Sequence, residues 1–190
     1  PLKQRPAPSD TASTVAAASS SKAQGNEHFR KGAYGEAEAC YTRGISAFSS
    51  PDTIHAVPLL SNRANVRLKN GDAAGTIQDC DQLLSIVLSI FGGSERDVNG
   101  RIAVYRASRE ESLPADLSKD INLRETFGKT LVRRAQALEA NEKWKLAKAD
   151  WEVLLEYEKT EGSGVKTGAS HIKYAREGLT RCGKMLGEKI

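Results

Sequence analysis

A chain of 190 residues, 39% of them hydrophobic, has the size of one globular unit and leaves little room for a second core. Its 28 Lys and Arg against 24 Asp and Glu give a net charge of +4, too small an excess to attract nucleic acid by bulk charge, and no basic tract is present. No apolar run approaches the roughly 18 residues needed to span a membrane, so membrane insertion is not expected either.

The chain opens at Pro1 with no charged-then-apolar leader, and a piece of a longer protein is the expected explanation. Cys40, Cys80 and Cys182 are odd in number and far apart, which argues against a disulfide framework and for a reducing compartment, the cytoplasm. Residues 1–13, rich in Pro, Ser and Ala, read as a disordered linker ahead of a domain over 14–190. From about Ser20 onward Ala, Leu, Glu, Lys and Arg dominate without any alternating stretch, so the expected fold class is all-α.

Internal repetition organises that helical chain. Gly25, Gly32, Tyr34, Ala37, Tyr41 and Ile45 in the first segment are followed in the same order by Ala64, Leu68, Gly71, Ile77, Cys80 and Leu84. A third segment supplies Ala135, Leu138, Trp144, Ala147, Trp151 and Leu155. Small residues recur where two helices of a hairpin approach closely, and aromatics recur where neighbouring hairpins leave a gap. Such a hairpin cannot bury its apolar face alone and must stack. Residues 168–188 carry Ile172, Ala175, Leu179, Cys182 and Leu186 on one stripe, as a helix closing the stack would. An insertion over 91–127 breaks the period; its first half reads as a mobile loop and its second as a helix leading onward.

This spacing resembles the tetratricopeptide repeat, with repeats near 18–51, 57–90 and 128–161. The resemblance implies a superhelix of three helix–turn–helix repeats plus a C-terminal capping helix. Three departures stand out: Gly44 and Thr76 replace the usual Ala, and Asn141-Glu142 stands where a turn Gly is usual.

Catalytic chemistry finds no footing. His28, His55 and His171 have no ligand spacing with each other or with the cysteines, so no metal and no cofactor is expected. GSGVKTG at 162–168 lacks the spacing of a phosphate loop and reads as a connector. Asp79 and Asp81 are two apart on a helix and do not face each other. The expected class is therefore a binding module and not an enzyme.

A binding set does emerge. Lys22 and Asn26 are four apart on the first helix of repeat one, Lys129 and Arg133 four apart on that of repeat three, and Asn62 lies between them on repeat two. Cations and carboxamides converging on one groove are what a free C-terminal carboxylate beside an Asp side chain needs. The five resemble the two-carboxylate clamp of co-chaperone tetratricopeptide domains, in KAQGN, SNR and GKTLVRR. That resemblance implies a partner, the Glu-Glu-Val-Asp terminus of 70-kDa or 90-kDa heat-shock chaperones. Phe29, Asn65 and Gln136 are the candidate pocket residues for the preceding peptide side chains, with Phe29 equally placed to join the core. Arg63 and Arg134, each beside a clamp residue, are expected to face elsewhere. The third repeat with its closing GLTRCGKML looks like that of fungal auxilin-like co-chaperones, which implies clathrin uncoating at coated vesicles and contact with clathrin through other parts of the parent. The alternatives are an assembly scaffold for a folded partner and the regulatory segment of an enzyme.

Overall fold

The computed structural model describes residues 12–91, 123–161 and 169–188, and among them there are helices and turns but no strand. The helices are α1 (Ala12–Arg30), α2 (Tyr34–Ser46), α3 (Val57–Lys69), α4 (Ala73–Phe91), α5 (Leu123–Ala140), α6 (Trp144–Glu161) and α7 (Ala169–Met185), with a short 3-10 turn at Ile54–Ala56 before α3. Each helix packs on the next in sequence where both are described. In addition α3 packs on α5 and α5 on α7, so these helices form an inner row. The arrangement is three stacked hairpins and a closing helix.

The repeated turn chemistry explains the hairpins. Gly32 and Gly71 follow α1 and α3 with φ of +74° and +78°, a region open to glycine because it has no Cβ. Around them the N–H of Ala33 bonds to His28 O (3.0 Å) and that of Asp72 to Arg67 O (2.9 Å), capping the last carbonyls. After α5 the same geometry recurs, with Lys143 N–H on Leu138 O (2.8 Å) and Glu142 at φ +56° in the glycine's place. The substitution noted in the sequence therefore leaves the turn intact while holding a side chain in left-handed backbone. The second departure is also accommodated: Thr76 is fully buried, and its hydroxyl donates to Asp72 O at 2.7 Å.

Two apolar clusters fill the interior. Ala37, Tyr41, Ile45, Leu59, Leu60 and Val66 belong to the first, with Leu83, Ile86 and Val87 of α4. Leu84, also of α4, belongs to the second with Phe127, Leu131, Leu138, Ala147, Trp151, Ala175 and Cys182. Small residues permit the closest approaches: a Cβ on Gly25 would lie 2.5 Å from the Tyr41 ring, and one on Gly178 would lie 2.3 Å from the Trp151 indole nitrogen. Cys40, Cys80 and Cys182 are free and buried.

One boundary differs from the sequence expectation. Helix α1 begins at Ala12, inside the stretch read as linker, because Ala16, Ala17 and Ala18 favour helix and Val15 and Ala18 pack against the first cluster. Helix α5 begins at Leu123, so over 123–127 the helix expected in the second half of the insertion is continuous with the first helix of repeat three, and Phe127 is buried in the second cluster. The rest of the insertion, residues 92–122, the linker 1–11 and the connector 162–168 lie outside the described residues. No helix among the described residues is long and apolar enough to cross a membrane.

Relief of the left-handed side chain predicts that Glu142→Gly raises stability by about 1 kcal/mol in urea denaturation. Gly178→Ala, by contrast, is expected to lower it by about 1–3 kcal/mol, since the new methyl must displace the indole.

Candidate functional site

Of the sequence-predicted residues, Asn62 sits on α3 and Lys129 and Arg133 on α5, both of the inner row, while Lys22 and Asn26 sit on α1. Hydrogen bonds stitch these helices together. Asn26 Oδ1 accepts from Asn62 Nδ2 (2.9 Å) and from the Tyr41 hydroxyl (2.8 Å). One residue before Asn62, Ser61 accepts from Arg133 Nη1 through its carbonyl (2.9 Å) and its hydroxyl (2.8 Å). Asn26, Asn62 and Arg133 thus form one connected patch across α1, α3 and α5. Lys129, one turn from Arg133, pairs with Glu125 at 2.5 Å at the edge of this patch, both side chains being about half exposed.

The residue after each of two site residues points the other way, into its hairpin. Arg63 forks onto Asp79 (3.0 and 2.7 Å), and Arg134 forks onto Asp150 (2.8 and 2.6 Å). In both pairs the aspartate stands sixteen residues after the arginine, so one hairpin geometry is used twice. Arg134 also reaches Asp81 at 2.6 Å, tying α5 to α4. Asp79 and Asp81 therefore serve different arginines, as their spacing implied.

Charge balance separates the site residues from these neighbours. Arg63, Arg67, Arg134 and Arg181 each contact a carboxylate. Among the described residues none pairs with Arg133 or with Lys22. Burial without a counterion lowers the Arg133 guanidinium below its usual value.

The pocket residues fall into two groups. Phe29 packs against the first cluster, its ring 5.5 Å from that of Tyr34, while Asn65 and Gln136 are half-buried on α3 and α5. Lys22 lines a small open cavity of about 40 Å³ together with Val15, Phe48, Pro58, Leu59 and His55. Sequence spacing missed it because three different elements contribute its walls. Tyr41, Ser61 and Glu125 were also missed as partners of the site, having no pattern of their own in the chain. Among the described residues no group of His, Cys, Asp and Glu is arranged to hold a metal ion. Burial pushes the Cys80 thiol up to about 12, so it stays protonated near neutral pH.

Adjacent arginines should behave oppositely on neutralisation. Arg134→Gln removes the guanidinium that forks onto buried Asp150 and reaches Asp81, and a loss of about 3 kcal/mol in urea denaturation is expected. Arg133→Gln gives up only neutral acceptors and a desolvated charge, so a change under about 1 kcal/mol is expected.

Comparison with known proteins supplies a frame for this geometry. No family model matches the chain. The mitochondrial import receptor subunit TOM34 of Rattus norvegicus is 30% identical over 148 residues, covering 76% of this chain and 36% of that protein. UBA domain-containing protein 7 of Schizosaccharomyces pombe is 32% identical over 131 residues, covering 69% of this chain and 16% of that protein. The chain thus spans about a third or less of the length of these relatives. Among solved structures, the first TPR of Spaghetti (RPAP3), bound to the HSP90 peptide SRMEEVD, superposes with a TM-score of 0.58 at 22% identity, over 92% of this chain and 96% of that one. The second TPR domain of human RPAP3, in complex with the HSP70 peptide SGPTIEEVD, gives a TM-score of 0.53 at 24% identity, over 86% and 98%. The fold is therefore that of a tetratricopeptide-repeat superhelix, three helix–turn–helix repeats with a closing helix.

Proposed function

We propose that the inner face of this superhelix captures the free carboxyl end of an acidic peptide, the Glu-Glu-Val-Asp tail of cytosolic 70-kDa or 90-kDa heat-shock chaperones, and that the chain is a binding module and not an enzyme. The observation that carries this proposal is the pair of site cations, Lys22 and Arg133, with no carboxylate partner among the described residues, whereas Arg63, Arg67, Arg134 and Arg181 each hold one. A desolvated guanidinium held only by a serine carbonyl and hydroxyl gains most from an arriving carboxylate, because a charge-assisted bond is about twice as strong as a neutral one. Lys129 is as easily recruited: its exposed pair with Glu125, four residues away, is worth only about 0.3–0.5 kcal/mol. Asn26 and Asn62, hydrogen-bonded to each other, are the amides that a peptide's terminal carboxylate would meet in this reading.

Support for the ligand comes from the peptides bound to the two RPAP3 domains, both ending in EEVD. We further infer a parent protein of auxilin-like type, acting in clathrin coat disassembly in the cytoplasm. That inference rests on the sequence of the third repeat and closing helix, and a longer fungal relative named for a UBA domain fits such a parent.

Calorimetric titration with a peptide ending in Glu-Glu-Val-Asp is expected to give micromolar affinity, about −8 kcal/mol. Amidating its C terminus, or replacing Lys129 and Arg133 together by Ala in a variant of unchanged helicity, should weaken binding by more than about tenfold. Equal binding of the amidated peptide would point to a scaffold for a folded partner. In the full-length parent the same double variant should slow coat disassembly, and undiminished activity would count against the auxilin-like role.

A further inference from the structure

The closing helix contributes one more residue to the same face, an inference that rests on the carboxylate-binding proposal above. Helix α7 runs antiparallel to α6, since Lys148 near the start of α6 meets Glu188 just past α7 (2.7 Å) and Trp151 meets Gly178. It therefore runs parallel to α5. Their register is set near the C-terminal ends, where Arg181 Nε donates to Glu139 Oε2 at 2.8 Å and Cys182 Sγ lies 3.9 Å from Oε1. Both helices rise about 1.5 Å per residue. Stepping back ten residues from Glu139 reaches Lys129, and stepping back ten from Arg181 reaches His171.

His171 is half-buried and continues the stripe of Ala175, Gly178 and Cys182 that α7 turns toward α5 and α6. Among the described residues the charged groups acting on its imidazole are Lys129, Glu125 and Arg133, all on α5. From α6 the stripe meets Trp151 and Leu154, and the described acidic residues of that helix, Asp150, Glu152 and Glu156, are not among the groups that act on it. Burial and the two α5 cations lower the His171 imidazole below the ordinary histidine value, so it is largely neutral near pH 7. The Glu125 carboxylate is held below its usual range by Lys129 and stays charged throughout that region.

We propose that His171 is a titratable sixth member of the carboxylate-binding cluster, taking up one solvent proton as an acidic C-terminal peptide docks and donating from the resulting imidazolium to a peptide carboxylate beside Lys129 and Arg133. The direction of the effect follows from linkage. A ligand carboxylate offsets the two cations that disfavour the charged imidazole, so the histidine binds its proton more tightly in the complex than in the free protein. Affinity then begins to rise as pH falls through the value for the complex, and the gain is complete below the value for the free protein.

The test follows the imidazole C–H resonances of the full chain by NMR between about pH 5.5 and 8.5, with and without a saturating peptide ending in Glu-Glu-Val-Asp. His171→Gln assigns the resonance. Its midpoint is expected to rise by about one unit with peptide, and calorimetry should show about three- to sixfold tighter binding near pH 6 than near pH 8. His171→Gln should flatten that dependence, bringing the affinities near pH 6 and pH 8 to within about twofold of each other, and His55→Gln, altering the cavity beside Lys22, should retain it. Peptide binding with an unmoved His171 midpoint in the native chain would overturn this assignment alone. Absence of peptide binding at either pH would overturn the carboxylate-binding proposal, and this one with it.

Discussion

A guanidinium clasped between carboxylates sets the rotation of the helix that carries it. Arg134, only 9% exposed, is held by Asp150 of its own hairpin and by Asp81 of the preceding one, and α5 cannot turn about its axis without stranding that charge in the interior, at a cost of several kcal/mol. Successive residues on an α-helix are about 100° apart. Anchoring Arg134 inward therefore aims Arg133 along the inner face, and the fork of Arg63 on Asp79 does the same for Asn62. The direction of the groove side chains is thus inherited from buried neighbours that never touch a ligand.

The two kinds of arginine also divide the electrostatic work. Those inside the hairpins are neutralised and contribute register; Arg133 is left with neutral acceptors and contributes field. Such a division keeps the inner face positive while the chain as a whole carries only +4, so recognition depends on where charge is unbalanced and not on how much there is. Because Lys129 and Glu125 are about half exposed, their part of the field is screened by salt over about 8–10 Å, whereas the more enclosed Arg133 is shielded from that screening.

Much of this was legible in the chain before any coordinates. The stripes of small and aromatic residues gave the hairpins, and helical spacing put Lys22 with Asn26 and Lys129 with Arg133. Three features were not legible, for definite physical reasons. The start of α1 depends on Val15 and Ala18 finding the first cluster, a tertiary contact that a Pro- and Ser-rich neighbourhood obscures. Asn141-Glu142 was visible as a departure from the turn glycine, but not how the turn is kept, because the left-handed backbone of Glu142 is offset by capping bonds that composition does not display. Tyr41 and Ser61 approach the site from separate helices, as His171 does in the proposal above, and only the rotation and register of those helices, fixed by packing and by pairs such as Arg181 with Glu139, bring them there.

Helix α4 faces two ways, with Leu83, Ile86 and Val87 in one apolar cluster and Leu84 in the other. A stack in which each hairpin touches only its neighbours is in principle free to melt piecemeal from either end. A shared helix removes that freedom at the midpoint, because neither cluster can dissolve without exposing side chains whose helix is still needed by the other. The inner face spans this joint, with Lys22 and Asn26 on one side and Lys129 and Arg133 on the other. Its two halves are consequently coupled in their thermal fluctuations, and a disturbance that loosens one end of the stack reaches the other through the backbone of α4.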